Sequence, residues 1–124
     1  MSTPTDRFDP SLPLREPTFW ILVSLAQGQK HGYAILRDVE ELSQGRLRLS
    51  TGTLYEALAR LLEQDLIART VEELPGPEED PVHRGKPRKA YSLPRSGRRL
   101  LQAETRRIQS MLAVAERMLA EEGG

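Results

Sequence analysis

The chain has 124 residues, no cysteine and two histidines, and its 18 basic residues balance 18 acidic ones. This length allows one domain with a modest core, or a smaller domain with an element for association. The absence of cysteine excludes disulfides, thiolate catalysis and most structural zinc sites, and two histidines are too few to build a metal site from histidine.

The apolar residues are not concentrated in any single segment. No stretch approaches the roughly 18 to 20 apolar residues that a membrane span needs, and the N-terminus lacks the apolar segment of a signal peptide. We therefore expect a cytoplasmic protein with no membrane partner. The apolar share of 38% is low for a self-sufficient globule, so we expect a partner to cover part of the surface.

The N-terminal part combines a proline-rich segment with the first predicted helix. Residues 1–14 carry three prolines and little apolar periodicity, which predicts a flexible or extended arm. The fold is expected to begin near Arg15, with a helix whose first turn tolerates Pro17. The apolar stretch 18–27 continues this helix, and Gly28 ends it. Its apolar character on nearly every side predicts a helix buried in the core.

The next two helices are predicted to form a helix-turn-helix. Apolar residues recur at helical spacing from residue 31 to about residue 43, and a short link with Gly45 leads to a third helix over residues 50–64. The third helix then takes the recognition position. Its first turn offers free N–H groups, small hydroxyl side chains and one phenol to a phosphate: Ser50, Thr51, Thr53 and Tyr55. An ordinary N-capped helix is the alternative for this turn, and an all-helical core motif of an enzyme is the alternative for the helix pair.

A wing is predicted after the third helix. Two short strands, at residues 67–71 and 88–93, flank a segment rich in proline and glycine. They indicate a two-stranded antiparallel ribbon with a long tip. The returning side is basic and suits contact with phosphate, whereas residues 72–80 are acidic. A solvated surface is the alternative for either charge run.

A long helix is expected from about residue 98 to residue 120, after a break at residues 94–97. Its apolar residues recur at steps of four and three, which defines a heptad seam that two methionines widen. A helix of roughly 22 residues is about 33 Å long, more than so small a domain can cover. We expect a second copy of the chain to pack on the seam, with packing inside the chain as the alternative. The predicted seam residues are Leu101, Thr105, Ile108, Met111, Leu112, Ala115, Met118 and Leu119.

Three strings of residues together resemble the PadR family of bacterial transcriptional regulators. They are HGYAIL at residues 31–36, STGTLYEALARLLEQDLI at residues 50–67 and RGKPRKAYSL at residues 84–93. The resemblance implies a mainly α fold with a small two-stranded β wing. This would be a winged helix-turn-helix over residues 15–94, followed by a C-terminal dimerisation helix over residues 95–124. It also implies a homodimer that binds palindromic double-stranded operator DNA and usually represses a neighbouring gene.

The same resemblance implies roles for single residues. Those that match the family's DNA-binding positions are Tyr33, Ser50, Thr51, Thr53, Tyr55, Lys86, Arg88 and Lys89. Two features depart from the family pattern: Pro94 stands where many members have threonine, and the wing tip is longer and more acidic. A small-molecule effector is compatible with the resemblance, but no residue pattern identifies it.

Two other classes of function are weighed against a DNA-binding repressor. A dimeric module that binds proteins through the winged-helix scaffold is the alternative, and the acidic run favours it. An enzyme is the weakest hypothesis, because no histidine lies at a recognisable spacing from a nucleophile and an acid, and no glycine-rich phosphate loop is present. We therefore expect no catalytic residues, no metal and no cofactor.

Overall fold

The computed structural model describes residues 12–72 and 88–123, with the side chains of residues 71, 72 and 88 excepted. Within these ranges the elements follow in the order α1 (Glu16–Ala26), β1 (Lys30–His31), α2 (Gly32–Leu42), α3 (Thr51–Glu63), β2 (Ala68–Glu72), β3 (Arg88–Ser92) and α4 (Arg95–Gly123). This confirms the predicted fold class, a mainly helical winged helix-turn-helix with a small β wing. Most of the predicted arm lies outside the described residues.

The described sheet has three strands in the order β1–β3–β2, whereas the sequence predicted two. The ribbon of β2 and β3 is antiparallel, as predicted, and pairs Arg69 with Tyr91. The additional strand, β1, pairs Lys30 with Tyr91 on the other side of β3. Two residues directly before a helix carry no strand pattern, so this long-range pairing was not visible in the sequence. The central strand of the sheet is therefore β3.

The hydrophobic core lies between the first three helices, the sheet and the start of α4. Phe19 and Trp20 pack against it from α1, with their ring centroids 5.3 Å apart in an edge-to-face arrangement. The aromatic pair therefore supports the core. The buried residues at its centre are Ile21, Leu22, Leu25, Ile35, Val39, Leu54, Ala57, Leu58, Leu61, Ile67, Tyr91 and Leu101.

The link between α2 and α3 is held by a buried hydroxyl group. Ser43 is 2% exposed; its Oγ donates to the carbonyl of Glu40 at 3.2 Å and accepts from the N–H of Leu47 at 3.0 Å. The chain reverses at Gln44 and Gly45, whose φ angles are 57° and 78°. A left-handed backbone favours glycine, which explains the glycine that the sequence placed in this turn. The predicted short turn thus fixes where α3 begins.

The long helix α4 begins at Arg95, earlier than predicted. The carbonyl of Pro94 accepts from the N–H of Arg98 at 2.9 Å, so Pro94 occupies the N-cap position instead of breaking the helix. Ser96 Oγ donates to the carbonyl of Asp65 at 2.5 Å, which ties the first turn to the end of α3. With 29 residues the helix is about 44 Å long. Gly97, predicted as part of a break, lies inside the helix and is buried.

A buried carboxylate joins α4 to the segment before α1. Glu104 is 2% exposed and accepts from the backbone N–H of Leu14 at 2.9 Å. Arg107 donates to both of its carboxylate oxygens, from Nε at 2.6 Å and from Nη2 at 2.9 Å. The hydrogen bonds from Arg107 lower the pKa of Glu104, burial raises it, and the bond from Leu14 lowers it, with a net lowering.

Replacing Glu104 with glutamine is expected to lower the free energy of unfolding at neutral pH by about 2 kcal/mol, because a neutral amide leaves Arg107 without its charged partner. Since the pKa in the folded protein lies below its ordinary value, this stabilisation is complete above the ordinary value. It is lost as the pH falls through the lowered pKa. Urea unfolding of both proteins at neutral and acid pH measures the difference.

The exposed Glu121, near the end of α4, supplies the control. Glu121→Gln should change stability little at either pH. A difference between wild type and Glu104→Gln that is as large in acid as at neutral pH would contradict the assigned role of the carboxylate.

Candidate nucleic-acid interface

The first turn of α3 is polar and exposed. Ser50 caps the helix: its Oγ accepts from the N–H of Thr53 at 3.1 Å and donates to Thr53 Oγ1 at 2.9 Å. Ser50, Thr51 and Thr53 are all exposed, while Leu54 and Leu58 anchor the helix in the core. The helix therefore presents its N-terminus, with the positive end of its dipole, to the solvent. The cap that the sequence predicted is present.

Tyr55 connects the two helices of the helix-turn-helix. It is half-buried and packs against the core, and its ring lies over Gly32 in the first turn of α2. A Cβ atom added at Gly32 would lie 2.8 Å from Tyr55 Cζ and closer still to the hydroxyl oxygen. Only glycine leaves room for the ring there. Tyr55 thus has a structural role, and its contact with DNA stays a prediction.

Tyr33 lies one residue from this contact, in the first turn of α2, and is half-buried. The structure therefore brings the first turn of α2 and the tyrosine of α3 together. The predicted DNA-binding role of Tyr33 stays a prediction.

The basic residues of the predicted wing are only partly within the described chain. Lys89 is exposed on β3, and the backbone of Arg88 belongs to the same strand. Lys86 and His83 lie outside the described residues, as does the acidic segment 73–80. The prediction that this side of the wing contacts phosphate stays a prediction.

A groove of about 360 Å³ separates α3 from the sheet, and we refer to it as the α3–sheet groove. Arg69, exposed on β2, contributes a second cation beside Lys89. Sequence reasoning missed Arg69, because a single arginine in a strand carries no signal until the register of the strands is known. The groove is lined by Tyr55, Leu58, Ala59, Leu62, Arg69, Lys89 and Tyr91.

Tyr91 lies at the base of this groove and is 2% exposed. Its burial raises the pKa of the phenol, and the charge of Arg69 and a hydrogen bond from the same side chain oppose the rise. A guanidinium has only donors, so the Tyr91 oxygen accepts this bond. The phenol and the guanidinium of Arg69 therefore lie within hydrogen-bonding reach of each other.

Two further arginines lie in the link that leads to α3, and sequence reasoning did not single them out. Arg46 forms an ion pair with Glu16, and Arg48 forms one with Glu40 at 2.9 Å. Both arginines are exposed, so each pair contributes little to stability. They add positive charge near the N-terminus of α3, although an acid accompanies each.

The far half of α4 carries an exposed apolar stripe. The predicted seam differs from the structure at Leu101, which is buried in the core of its own chain and supports the domain. Thr105 and Ala115 are exposed polar and small positions along the same helix. Exposed apolar surfaces that are contiguous and large are typical of interaction sites, so the dimerisation role of this stripe stays a prediction. Its large residues are Ile108, Met111, Leu112, Val114, Met118 and Leu119, which are 39% to 64% exposed.

Within residues 12–72 and 88–123, no group of three or more histidine and acidic side chains could hold a metal ion. No helix in these ranges is long and apolar enough to cross a membrane.

The sequence model of the PadR-like transcriptional regulator family matches residues 21–103. The chain belongs to the PadR-like family. The match runs from α1 through the helix-turn-helix and the wing to the buried start of α4, so it covers the residues that form the core. It stops before the exposed stripe of this PadR-like regulator.

Solved structures share the fold. A PadR family regulator from Clostridium difficile R20291 is 25% identical with a TM-score of 0.66, over 85% of this chain and 99% of that chain. A transcriptional regulator from Clostridium thermocellum is 20% identical with a TM-score of 0.62, over 94% and 96%. Bacillus subtilis PadR, solved in complex with operator DNA, is 23% identical with a TM-score of 0.58, over 71% and 46%. No curated protein matches the chain.

Proposed function

We propose that this PadR-like regulator is a homodimer that binds a palindromic operator and represses a neighbouring gene in the cytoplasm. The observation that carries the proposal is the exposed, capped first turn of α3 beside the exposed cations of the sheet. An α-helix fits the major groove of B-DNA, and flanking cations neutralise the backbone. The likeness in fold to a PadR protein solved with operator DNA supports the same conclusion.

The proposed contacts divide into those that position the protein and those that read the bases. Lys86, Arg88 and Lys89 neutralise phosphates, with the α3 N-terminus (Ser50 and Thr51) as a further phosphate contact. Thr53 is exposed in the first turn and offers a hydroxyl and a methyl group to base edges. Tyr55 packs its ring over Gly32 of α2, and Tyr33 and Tyr55 are further proposed DNA contacts.

The proposed dimer uses the exposed stripe of α4. Residues 15–94 would bind DNA, and residues 95–124 would pair with a second copy. Such a pairing removes the stripe from water and places two α3 helices in successive major grooves, about 34 Å apart. A dimeric protein-interaction module is the alternative, and the acidic run at residues 72–80 favours it. A small-molecule effector of unknown chemistry is compatible with either.

Selection of genomic DNA fragments on the purified protein is expected to enrich one promoter fragment that contains an inverted repeat. With roughly four phosphate contacts per protomer, the logarithm of affinity against the logarithm of salt concentration should have a slope near −7, from about −0.9 per contact. Fragment sequencing and fluorescence anisotropy measure both quantities. A mock selection without protein is the control.

Two results would count against the proposal. Equal recovery of all fragments would favour the interaction module. A salt slope near zero would contradict the electrostatic part of the mechanism.

A further inference from the structure

We infer that the α3–sheet groove binds one backbone phosphate of the operator in each protomer, held by Arg69 and Lys89 and positioned by Tyr91. The inference rests on the proposed function and extends it, since neither Arg69 nor Tyr91 belongs to the predicted interface. It also gives a location to one of the phosphate contacts.

The two cations lie on the same face of the sheet. Arg69 pairs with Tyr91, and Val71 pairs with Lys89, in the antiparallel register of β2 and β3. Side chains of paired residues, and of residues two apart on one strand, point to the same side. Arg69 and Lys89 are therefore diagonal neighbours, and both line the groove beside α3.

The surroundings of the two cations favour an anion. The facing wall is formed by apolar residues of α3, namely Leu58, Ala59 and Leu62, and none of the described lining residues is an acid. An apolar wall lowers the local dielectric constant and strengthens the field of a cation at its edge. Arg46 and Arg48 do not line this groove, and each forms an ion pair with a carboxylate.

Tyr91 makes the arginine a preorganised donor. The buried phenol accepts a hydrogen bond from the guanidinium, which has further N–H groups that can donate to a ligand. A planar guanidinium can bind two phosphate oxygens at once, and an ammonium adds a point charge. A fixed arginine next to a lysine therefore suits a single phosphate group.

The position of the groove matches the path of a DNA strand. Tyr55, at one end of the groove, directly follows the exposed first turn of α3 that the proposed function places in the major groove. The sugar-phosphate strand that borders a major groove runs beside the helix inserted in it, and backbone contacts fix the register of the protein. We therefore assign the phosphate to DNA; a free phosphate ion has the same chemistry.

The test measures binding of Arg69→Gln, Lys89→Gln, the double variant and Tyr91→Phe to the selected operator and to a shuffled duplex, by anisotropy over a range of chloride concentrations. Arg69→Gln should weaken both duplexes equally, by about tenfold or more at constant salt. The double variant Arg69→Gln/Lys89→Gln should make the salt slope less negative by about 1.8, because one phosphate contact worth about 0.9 is lost in each of two protomers. Lys89→Arg should retain affinity.

Tyr91→Phe keeps the ring and removes the hydroxyl. It should weaken binding less than Arg69→Gln does. When it is combined with Arg69→Gln in one protein, it should cause no further loss of affinity, because both substitutions act through the same guanidinium. Circular dichroism and the thermal midpoint establish that each variant is folded. The control is Arg99→Gln, since Arg99 is exposed on α4 outside the groove; it should leave affinity unchanged.

The outcomes separate this inference from the proposed function. If the wild-type protein binds no DNA, both fail. If it binds the operator and Arg69→Gln behaves like Arg99→Gln, the groove does not bind a backbone phosphate, although the regulator still reads DNA. If inorganic phosphate raises the thermal midpoint through Arg69 at constant ionic strength while DNA affinity is unaffected by Arg69→Gln, the site holds a free anion and the inference is overturned.

Discussion

Leu112→Glu is expected to convert the protein into a monomer and to weaken operator binding by at least about a hundredfold, because two linked half-site contacts become independent. Leu112 is 55% exposed and lies in the middle of the apolar stripe on α4. A carboxylate there must be desolvated when a second helix packs on it, and a symmetric pair introduces two such charges. Sedimentation velocity measures the assembly, and anisotropy with the selected operator measures binding.

The matched control places the same charge on the other side of the helix. Ala113 is exposed, and at about 100° per residue it lies about 100° from Leu112 and from Val114 and farther from the other large residues of the stripe. Ala113→Glu should therefore leave the dimer and the affinity nearly unchanged. If Leu112→Glu remains dimeric, or if both variants become monomeric, the stripe is not the surface that pairs.

Gly97→Ala is expected to lower the free energy of unfolding by about 3 kcal/mol, the upper part of the range for overpacking a core position. A Cβ atom at this position would lie 2.7 Å from Leu93 Cδ1 and closer still to the backbone oxygen of Leu66. A backbone carbonyl cannot turn aside as a flexible side chain can. Alanine is favoured over glycine within helices by only about 1 kcal/mol, which does not offset the clash. Urea unfolding measures the change.

Gly52 provides the same substitution in open space. It also lies in a helix, but a Cβ atom added there would have no neighbour within 4 Å. Gly52→Ala should raise the free energy of unfolding by about 0.5 to 1 kcal/mol, because only the helix preference remains. Stabilisation by both substitutions would show that α4 does not press against residue 66.

Local patterns in the sequence predicted much of this fold. The three helices of the domain follow from apolar spacing, and the cap of α3 follows from a serine three residues before Thr53. The two long strands follow from short alternating runs around a proline-rich segment. All of these depend on neighbours within about one or two helical turns, so a single sequence contains the information.

The features that the sequence did not reveal depend on long-range contacts. β1 exists only because β3 pairs with it, and α4 begins early because Pro94 serves as its N-cap and Gly97 fits against the backbone of Leu66. Leu101 has the heptad spacing of the seam but is buried in its own domain, since spacing alone cannot say which surface covers a residue.

The candidate site also combines features that follow from local sequence patterns with features that depend on long-range contacts. Exposed hydroxyl groups in the first turn of α3 could be named from the sequence. The contact of Tyr55 with Gly32, and the adjacency of Arg69 and Lys89, required the packing of α2 on α3 and the register of the wing.

The central place of β3 in the sheet affects how movement passes through the molecule. This strand is hydrogen-bonded on both sides, and only Leu93 and Pro94 separate it from α4. The helix start is also held by Ser96 against residue 65. This two-residue connection is too short for a loop to absorb a tilt of α4. In the proposed dimer, a tilt of the long helix would therefore move the middle strand of the wing, and a change in how two copies pack would alter the angle at which the wing meets DNA.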